Sequence, residues 1–143
     1  MGFKFENLDV WKLSLEYSDL IYELADKLPE TEKFNLKSQI IRATTSISLN
    51  IAEGSTGQSD AEQNRFLGLA IRSLIETIAC LRIITRRNYI SDKFFIEKID
   101  NKAQELAKRL FSFRKALIIR NKSIGEEQAA YEIDIFDELS NNE

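Results

Sequence analysis

Gln39, Arg42, Ser46, Asn50 and Glu53 recur at spacings of three and four, so on a helix they form one polar stripe. Ile40, Ala43, Ile47 and Ile51 run beside it as an apolar stripe. Two chemistries fit the polar set. Glu53 and Asn50, facing Glu76 of a later stretch, would offer oxygen ligands to a cation or small molecule held between helices. Alternatively, Gln39, Arg42, Ser46, Asn50 and Glu53, with Ser73 and Glu76, make a hydrogen-bonded seam that fixes helix partners and register. Composition favours the second. Carboxylate metal sites in bundles add a Glu-x-x-His motif, and this chain of 143 residues has no His. The seven residues are therefore read as structural, with Arg42 pairing to Glu53 or Glu76. No metal and no cofactor are expected.

The missing His also removes the Ser-His and Cys-His nucleophile pairs and the commonest general base. The one cysteine, Cys80, sits in the apolar run Ile78-Ala79-Cys80-Leu81, where packing is its expected role. One cysteine allows no disulfide within the chain, which fits a reducing cytoplasm. Gly54-Ser55-Thr56-Gly57 lacks both the Lys-Ser/Thr ending and the preceding strand of a phosphate loop. No catalytic residue is assigned, and the chain reads as a non-enzyme. The N-terminal Met1-Gly2-Phe3-Lys4-Phe5-Glu6 has no apolar signal core. The uncharged run from Ala43 to Ala52 is too short to span a membrane, and no membrane partner is expected.

Charge is unevenly placed. The net formal charge of −3 conceals seven acids and no Lys or Arg in residues 123–143, which leaves +4 on residues 1–122. Residues 82–122 carry twelve bases against four acids. Arg82, Arg86, Arg87, Lys98, Lys102, Lys108, Arg109, Lys115 and Lys122 are the candidate contacts to RNA or DNA phosphates. Lys108, Lys115 and Lys122 repeat every seven residues and share a face. A solvated helix face is the plain alternative. Phe111 and Phe113 interleave with these cations. Phe113 belongs to the core pattern, while Phe111 fits core, base-stacking platform or, preferably, subunit interface.

Such residues need long elements to position them. The length suits a single domain, and one Pro with five Gly leaves little punctuation. A first helix is expected from about Leu8 to Leu28, with Asn7 as N-cap and Pro29 as its stop. It has two apolar faces, Leu8-Trp11-Leu15-Ser18-Tyr22-Ala25 and Val10-Tyr17-Leu20-Leu24-Leu28, hence contacts on two sides. A second helix spans about Glu32 to Glu53, with Gly54 as a left-handed C-cap. Ser59 and Glu62 form a capping box for a third helix reaching about Arg87. Its broad apolar coverage makes it central or gives it a subunit face. Ser91 caps a fourth helix, whose seam is Phe95, Ile99, Ala103, Leu106, Leu110, Phe113 and Leu117. No strand is evident. The expected fold is all-α, an antiparallel up-down-up-down four-helix bundle over residues 1–122, followed by an acidic tail at 123–143. The tail is flexible or docked on a basic face.

Specific stretches resemble a known family. They are Phe5-Glu6-Asn7-Leu8-Asp9-Val10-Trp11, Leu28-Pro29-Glu30-Thr31-Glu32, Gln39-Ile40-Ile41-Arg42-Ala43 with Ser46-Ile47-Ser48-Leu49-Asn50-Ile51-Ala52-Glu53-Gly54, and Phe66-Leu67-Gly68-Leu69-Ala70 leading to Ser73-Leu74-Ile75-Glu76, with Tyr89-Ile90 before the fourth helix. The chain resembles the four-helix-bundle proteins encoded in intervening sequences of bacterial 23S ribosomal RNA genes. Relatives of that family include the accessory protein of diversity-generating retroelements. The resemblance covers roughly residues 5–118 and leaves out the tail. It implies a non-enzymatic bundle, assembly into a barrel-shaped homopentamer, and nucleic-acid binding by basic surfaces in some members. The retroelement relative partners a reverse transcriptase. The expected function is thus an oligomeric cytoplasmic bundle that binds nucleic acid through its third and fourth helices. The alternative is a scaffold or accessory subunit that meets a protein partner through the acidic tail and never touches nucleic acid.

Overall fold

The computed structural model describes residues 2–57 and 59–120. The acidic segment and Lys122 lie outside them. Among the described residues four helices carry the fold: α1 (Asp9–Asp26), α2 (Leu36–Gly54), α3 (Asp60–Arg86) and α4 (Lys93–Arg120). Short 3-10 turns at Lys4–Asn7 and Glu30–Glu32 precede α1 and α2.

Cross-helix pairs give the directions. Ser14 meets Ser48, and Asp26 meets Lys37. Ser73 meets Ser46, while Gly54 lies against Phe66. Arg82 reaches Asp100, Arg114 reaches Asn64 and Arg120 reaches Asp60. Lys102 reaches Glu16, and Arg109 reaches Asp9. In each set the partner number falls as the first rises, so each neighbour runs opposite to the last and α4 returns beside α1. The result is a closed ring of four helices. Tyr17 and Thr77 cross its middle, joining α1 to α3.

The core follows the helical periodicity. Tyr17, Ile21 and Leu24 of α1, Ile40, Ile47 and Ile51 of α2, Leu67, Leu74, Leu81 and Ile84 of α3, and Ile99 and Leu106 of α4 are fully buried. Burying each large apolar side chain contributes on the order of 1.5–3 kcal/mol. Val10, Tyr17, Leu20 and Leu24 of α1 and Leu28 just beyond it are buried, whereas Leu15 and Tyr22 of the other face stay exposed. Cys80 is buried and free, and burial raises its thiol pKa.

Several helix ends differ from expectation, by one to four residues or by mechanism. Leu8, not Asn7, is the N-cap of α1, because residues 4–7 are wound into a 3-10 turn. The second helix starts at Leu36, since Pro29 opens a separate turn. Glu32 then serves α2 from outside, accepting from the Leu36 backbone N–H at 3.3 Å and from Asn35 Nδ2 at 3.0 Å. Asp92, not Ser91, starts α4: its carboxylate accepts from Phe95 N–H at 3.1 Å. Half the capping box of α3 forms. Ser59 accepts from Glu62 N–H at 3.1 Å, but the Glu62 carboxylate turns outward to Arg65 at 2.7 Å.

Gly54 is not the expected left-handed cap. It ends α2 without left-handed backbone, and the C-cap Ser55 has φ −87°. The glycine is required by proximity: a Cβ there would lie 2.8 Å from Phe66 Cβ. The left-handed cap belongs to α3, where Asn88 has φ 60° and Tyr89 N–H reaches back to Ile84 O at 3.4 Å.

Candidate nucleic-acid interface and polar seam

Ser46 is the hub of the seam. Asn50, one turn on, donates its amide to Ser46 O at 2.8 Å and to Ser46 Oγ at 3.0 Å. Ser73 of α3 donates to Ser46 Oγ at 2.9 Å. All three side chains are half-buried, so the bonds are partly shielded from water. The seam stops there. Gln39 is exposed and bonds to Asn35 Oδ1 at 3.1 Å. Arg42, Glu53 and Glu76 are exposed, and no ion pair joins them among the described residues. Arg42 and Glu53 stand eleven positions apart, about 16 Å along one helix, too far to meet directly. Among the described residues no three His, Cys, Asp or Glu side chains gather at metal-binding distance.

The interior holds further polar contacts that hydrophobic periodicity did not flag. Ser14 Oγ donates to Trp11 O at 2.6 Å, so its 2.9 Å contact with Ser48 Oγ uses the Ser48 proton. Likewise Thr77 Oγ1 donates to Leu74 O at 2.6 Å, which makes Tyr17 OH the donor in the 2.7 Å Tyr17–Thr77 bond. Burial holds the Tyr17 phenol far above the ordinary tyrosine range, against the lowering effect of the Thr77 bond.

Arg114 is the least expected interior group. It is 3% exposed, and its Nε donates to Asn64 Oδ1 at 2.8 Å. Loss of solvent, with Arg72 nearby, brings its pKa down to about 10, still protonated at neutral pH. Gly68 makes room: a Cβ there would sit 2.6 Å from Arg114 Nη1. Spacing carried a signal, because Arg114 stands four residues after Leu110 and three before Leu117, on the core seam. Phe113, assigned to that seam, is only half-buried.

The nine candidate phosphate contacts separate by their neighbours. Arg82 is paired with Asp100 at 2.9 Å across α3 and α4. Lys102 lies 3.3 Å from Glu16 and 3.7 Å from Glu105. Arg109 lies 3.9 Å from both Asp9 and Glu105. Arg86, Arg87, Lys98, Lys108 and Lys115 are exposed, with no ion-pair partner among the described residues. Lys122 falls outside them. Arg82, Ile83, Arg86 and Arg87 line a shallow hollow at the end of α3. A second hollow, between α1 and α4, is lined by Leu8, Asp9, Val10, Lys108, Arg109, Ser112 and Phe113. Arg72, also exposed, was not among the sequence candidates. Phe111 is half-buried against the core cluster.

The opposite side of the ring differs. Leu15, Tyr22 and Leu49 are 42%, 47% and 55% exposed, with Trp11 and Ile41 half-buried beside them. Ser14 and Ser48 face each other beneath, so helical spacing places this apolar strip along the α1–α2 edge. No helix among the described residues is long and apolar enough to cross a membrane.

A closed ring of four helices among the described residues, pinned by interior hydroxyls and bearing exposed cations on several of its helices, defines an all-helical bundle protein. The chain matches the model of the 23S rRNA-intervening sequence protein family over residues 6–112 and belongs to that family. It is similar to a solved structure from Bacteroides thetaiotaomicron VPI-5482, a protein of unknown function from the S23 ribosomal protein family. The two are 34% identical, with a TM-score of 0.68, over 74% of this chain and 98% of that one. No curated protein matches the chain.

Proposed function

We propose that this protein is a non-catalytic, self-associating cytoplasmic bundle that holds RNA or DNA against α3 and α4. The observation that carries the reading is the set Arg86, Arg87, Lys98, Lys108 and Lys115: exposed cations with no carboxylate partner among the described residues. Phosphates would neutralise them and release counterions, an interaction indifferent to base sequence. Arg82, Lys102 and Arg109 would have to exchange a carboxylate for a phosphate, and ion pairs at the surface are worth only about 0–1 kcal/mol.

Self-association rests on the α1–α2 edge, where Leu15, Tyr22 and Leu49 expose apolar surface away from the cations. Five copies is the number implied by the family resemblance. Repeating one basic face around an assembly raises avidity for a long polyanion.

A protein scaffold or accessory subunit without nucleic-acid contact is the second reading. It is favoured by Arg82, Lys102 and Arg109 already having acidic partners. Fluorescence anisotropy with structured RNA and duplex DNA across a salt series separates the two. Binding that weakens steeply with salt supports the first. No binding at low salt rejects it and leaves the scaffold.

A further inference from the structure

We propose that residues 129–139 of this chain occupy the hollow between α1 and α4, as an acidic segment folded back on its own bundle. The segment reads Ala129-Ala130-Tyr131-Glu132-Ile133-Asp134-Ile135-Phe136-Asp137-Glu138-Leu139, apolar residues interleaved with four acids and no base. The hollow has the complementary make-up. Leu8, Val10 and Phe113 give it an apolar floor, and Lys108 and Arg109 stand at its rim. Lys12 and Lys115 are exposed on the same two helices.

Asp9 and Glu105 each lie 3.9 Å from Arg109, so that guanidinium is shared already. Lys108, Lys12 and Lys115 have no carboxylate among the described residues. They are the cations left for Glu132, Asp134, Asp137 and Glu138.

Reach selects this hollow over the one at Arg82, Ile83, Arg86 and Arg87. The described part of α4 ends at Arg120. Lys108 lies twelve residues back along the helix, about 18 Å. Residues 121–128, which include Gly125, span at most about 28 Å when extended, enough to reverse and arrive at the hollow. Arg82 sits at the level of Asp100, about 30 Å from Arg120 by the same rise. Tethering also sets an effective concentration in the millimolar range for a short flexible link. Weak individual contacts then suffice.

Docking of this kind would place carboxylates where phosphates would bind, but its test needs no nucleic acid. A nitroxide is attached to Ser140→Cys in the full chain, with Cys80 protected by burial. Amide signals are read by NMR. The expected result is loss of peak intensity at Leu8–Val10 and Lys108–Phe113 at low ionic strength. High salt restores it, as does combined Glu132→Gln, Asp134→Asn, Asp137→Asn and Glu138→Gln. Loss confined to residues 115–120, or greatest at Arg82–Arg87, overturns the proposal. So does the same loss when nitroxide-bearing chains without isotope are mixed with enriched chains without nitroxide, since the segment then sits on a second copy. None of these outcomes bears on whether RNA or DNA binds.

Discussion

Gly54 of α2 and Phe66 of α3 approach so closely that a Cβ on residue 54 would sit 2.8 Å from Phe66 Cβ, with Gln63 O 3.4 Å away. The contact is with a Cβ and a backbone oxygen, neither of which can swing aside. Gly54→Ala gains helix propensity of about 1 kcal/mol. Overpacking of about 1–3 kcal/mol opposes it, and urea melts should show net destabilisation. Gly54→Asn separates this cause from a left-handed cap, which tolerates Asn. Here Asn should be worse than Ala, and the reverse order would reject close approach as the reason for the glycine.

Tyr17 and Thr77 make an asymmetric pair, because Tyr17 donates and the Thr77 proton goes to Leu74 O. Tyr17→Phe removes a donor and leaves every remaining proton placed, for a cost of about 0.5–1.5 kcal/mol. Thr77→Val strands the buried phenol and should cost about 1–3 kcal/mol. Equal losses in denaturant titrations would contradict the donor assignment.

Burial raises the Tyr17 pKa above its ordinary value of 10.0. Above pH 10 the unfolded chain releases this proton while the folded one retains it. The unfolded state then binds fewer protons, so stability falls as pH rises, by about 1.4 kcal/mol per unit. The contribution is complete below pH 10 and declines through the alkaline range. Stability–pH curves of the wild type and Tyr17→Phe should therefore keep a constant separation below that pH and close up, then cross, above it. A constant offset would show that Tyr17 does not titrate on unfolding.

Arg114 and Asn64 should be coupled. Removing the acceptor by Asn64→Leu is expected to destabilise by about 1.5–3 kcal/mol, the range for hydrogen bonds to charged groups. A double-mutant cycle with Arg114→Met checks it: additive losses would mean the 2.8 Å contact carries no energy.

Salt dependence distinguishes the cations. If duplex DNA binds, each phosphate contact contributes about 0.9 to the slope of log K against log salt. Charge-removing substitutions at Arg86, Arg87, Lys108 and Lys115 should each flatten that slope. Arg82→Gln should flatten it less, since Arg82 is engaged with Asp100. A slope unchanged by all four free-cation variants would move the interface elsewhere.

Helix number and core were legible because they depend on periodicity summed over many residues. The α4 seam from Phe95 to Leu117 was read nearly intact, and the α2 stripe of Ile40, Ala43, Ile47 and Ile51 is buried as expected. The ends were harder, because one residue decides them. Ser91 and Asp92 are both good caps by type, and only geometry selects Asp92. Gly54 shows the same ambiguity, since a glycine for backbone freedom and one for clearance look alike in sequence. The seam was half legible: Ser46, Asn50 and Ser73 join, while long charged side chains at its ends turn to water. Arg114 was missed as a core group because its charge outweighed its spacing. Which cations are already paired depends on helices far apart in sequence, as with Lys102 and Glu16, 86 residues apart.

The tight α2–α3 pairing also has a kinetic meaning. Ser46 and Ser73 are separated by 27 residues, whereas Tyr17–Thr77 and Arg120–Asp60 each span 60. Closing the shorter loop sacrifices less chain entropy, so a hairpin of neighbouring helices such as α2–α3 costs less to nucleate than the contact across the ring. The outer helices α1 and α4 then have a surface to dock on. Substitutions at the Gly54–Phe66 contact should slow folding, and those at Tyr17–Thr77 should chiefly hasten unfolding.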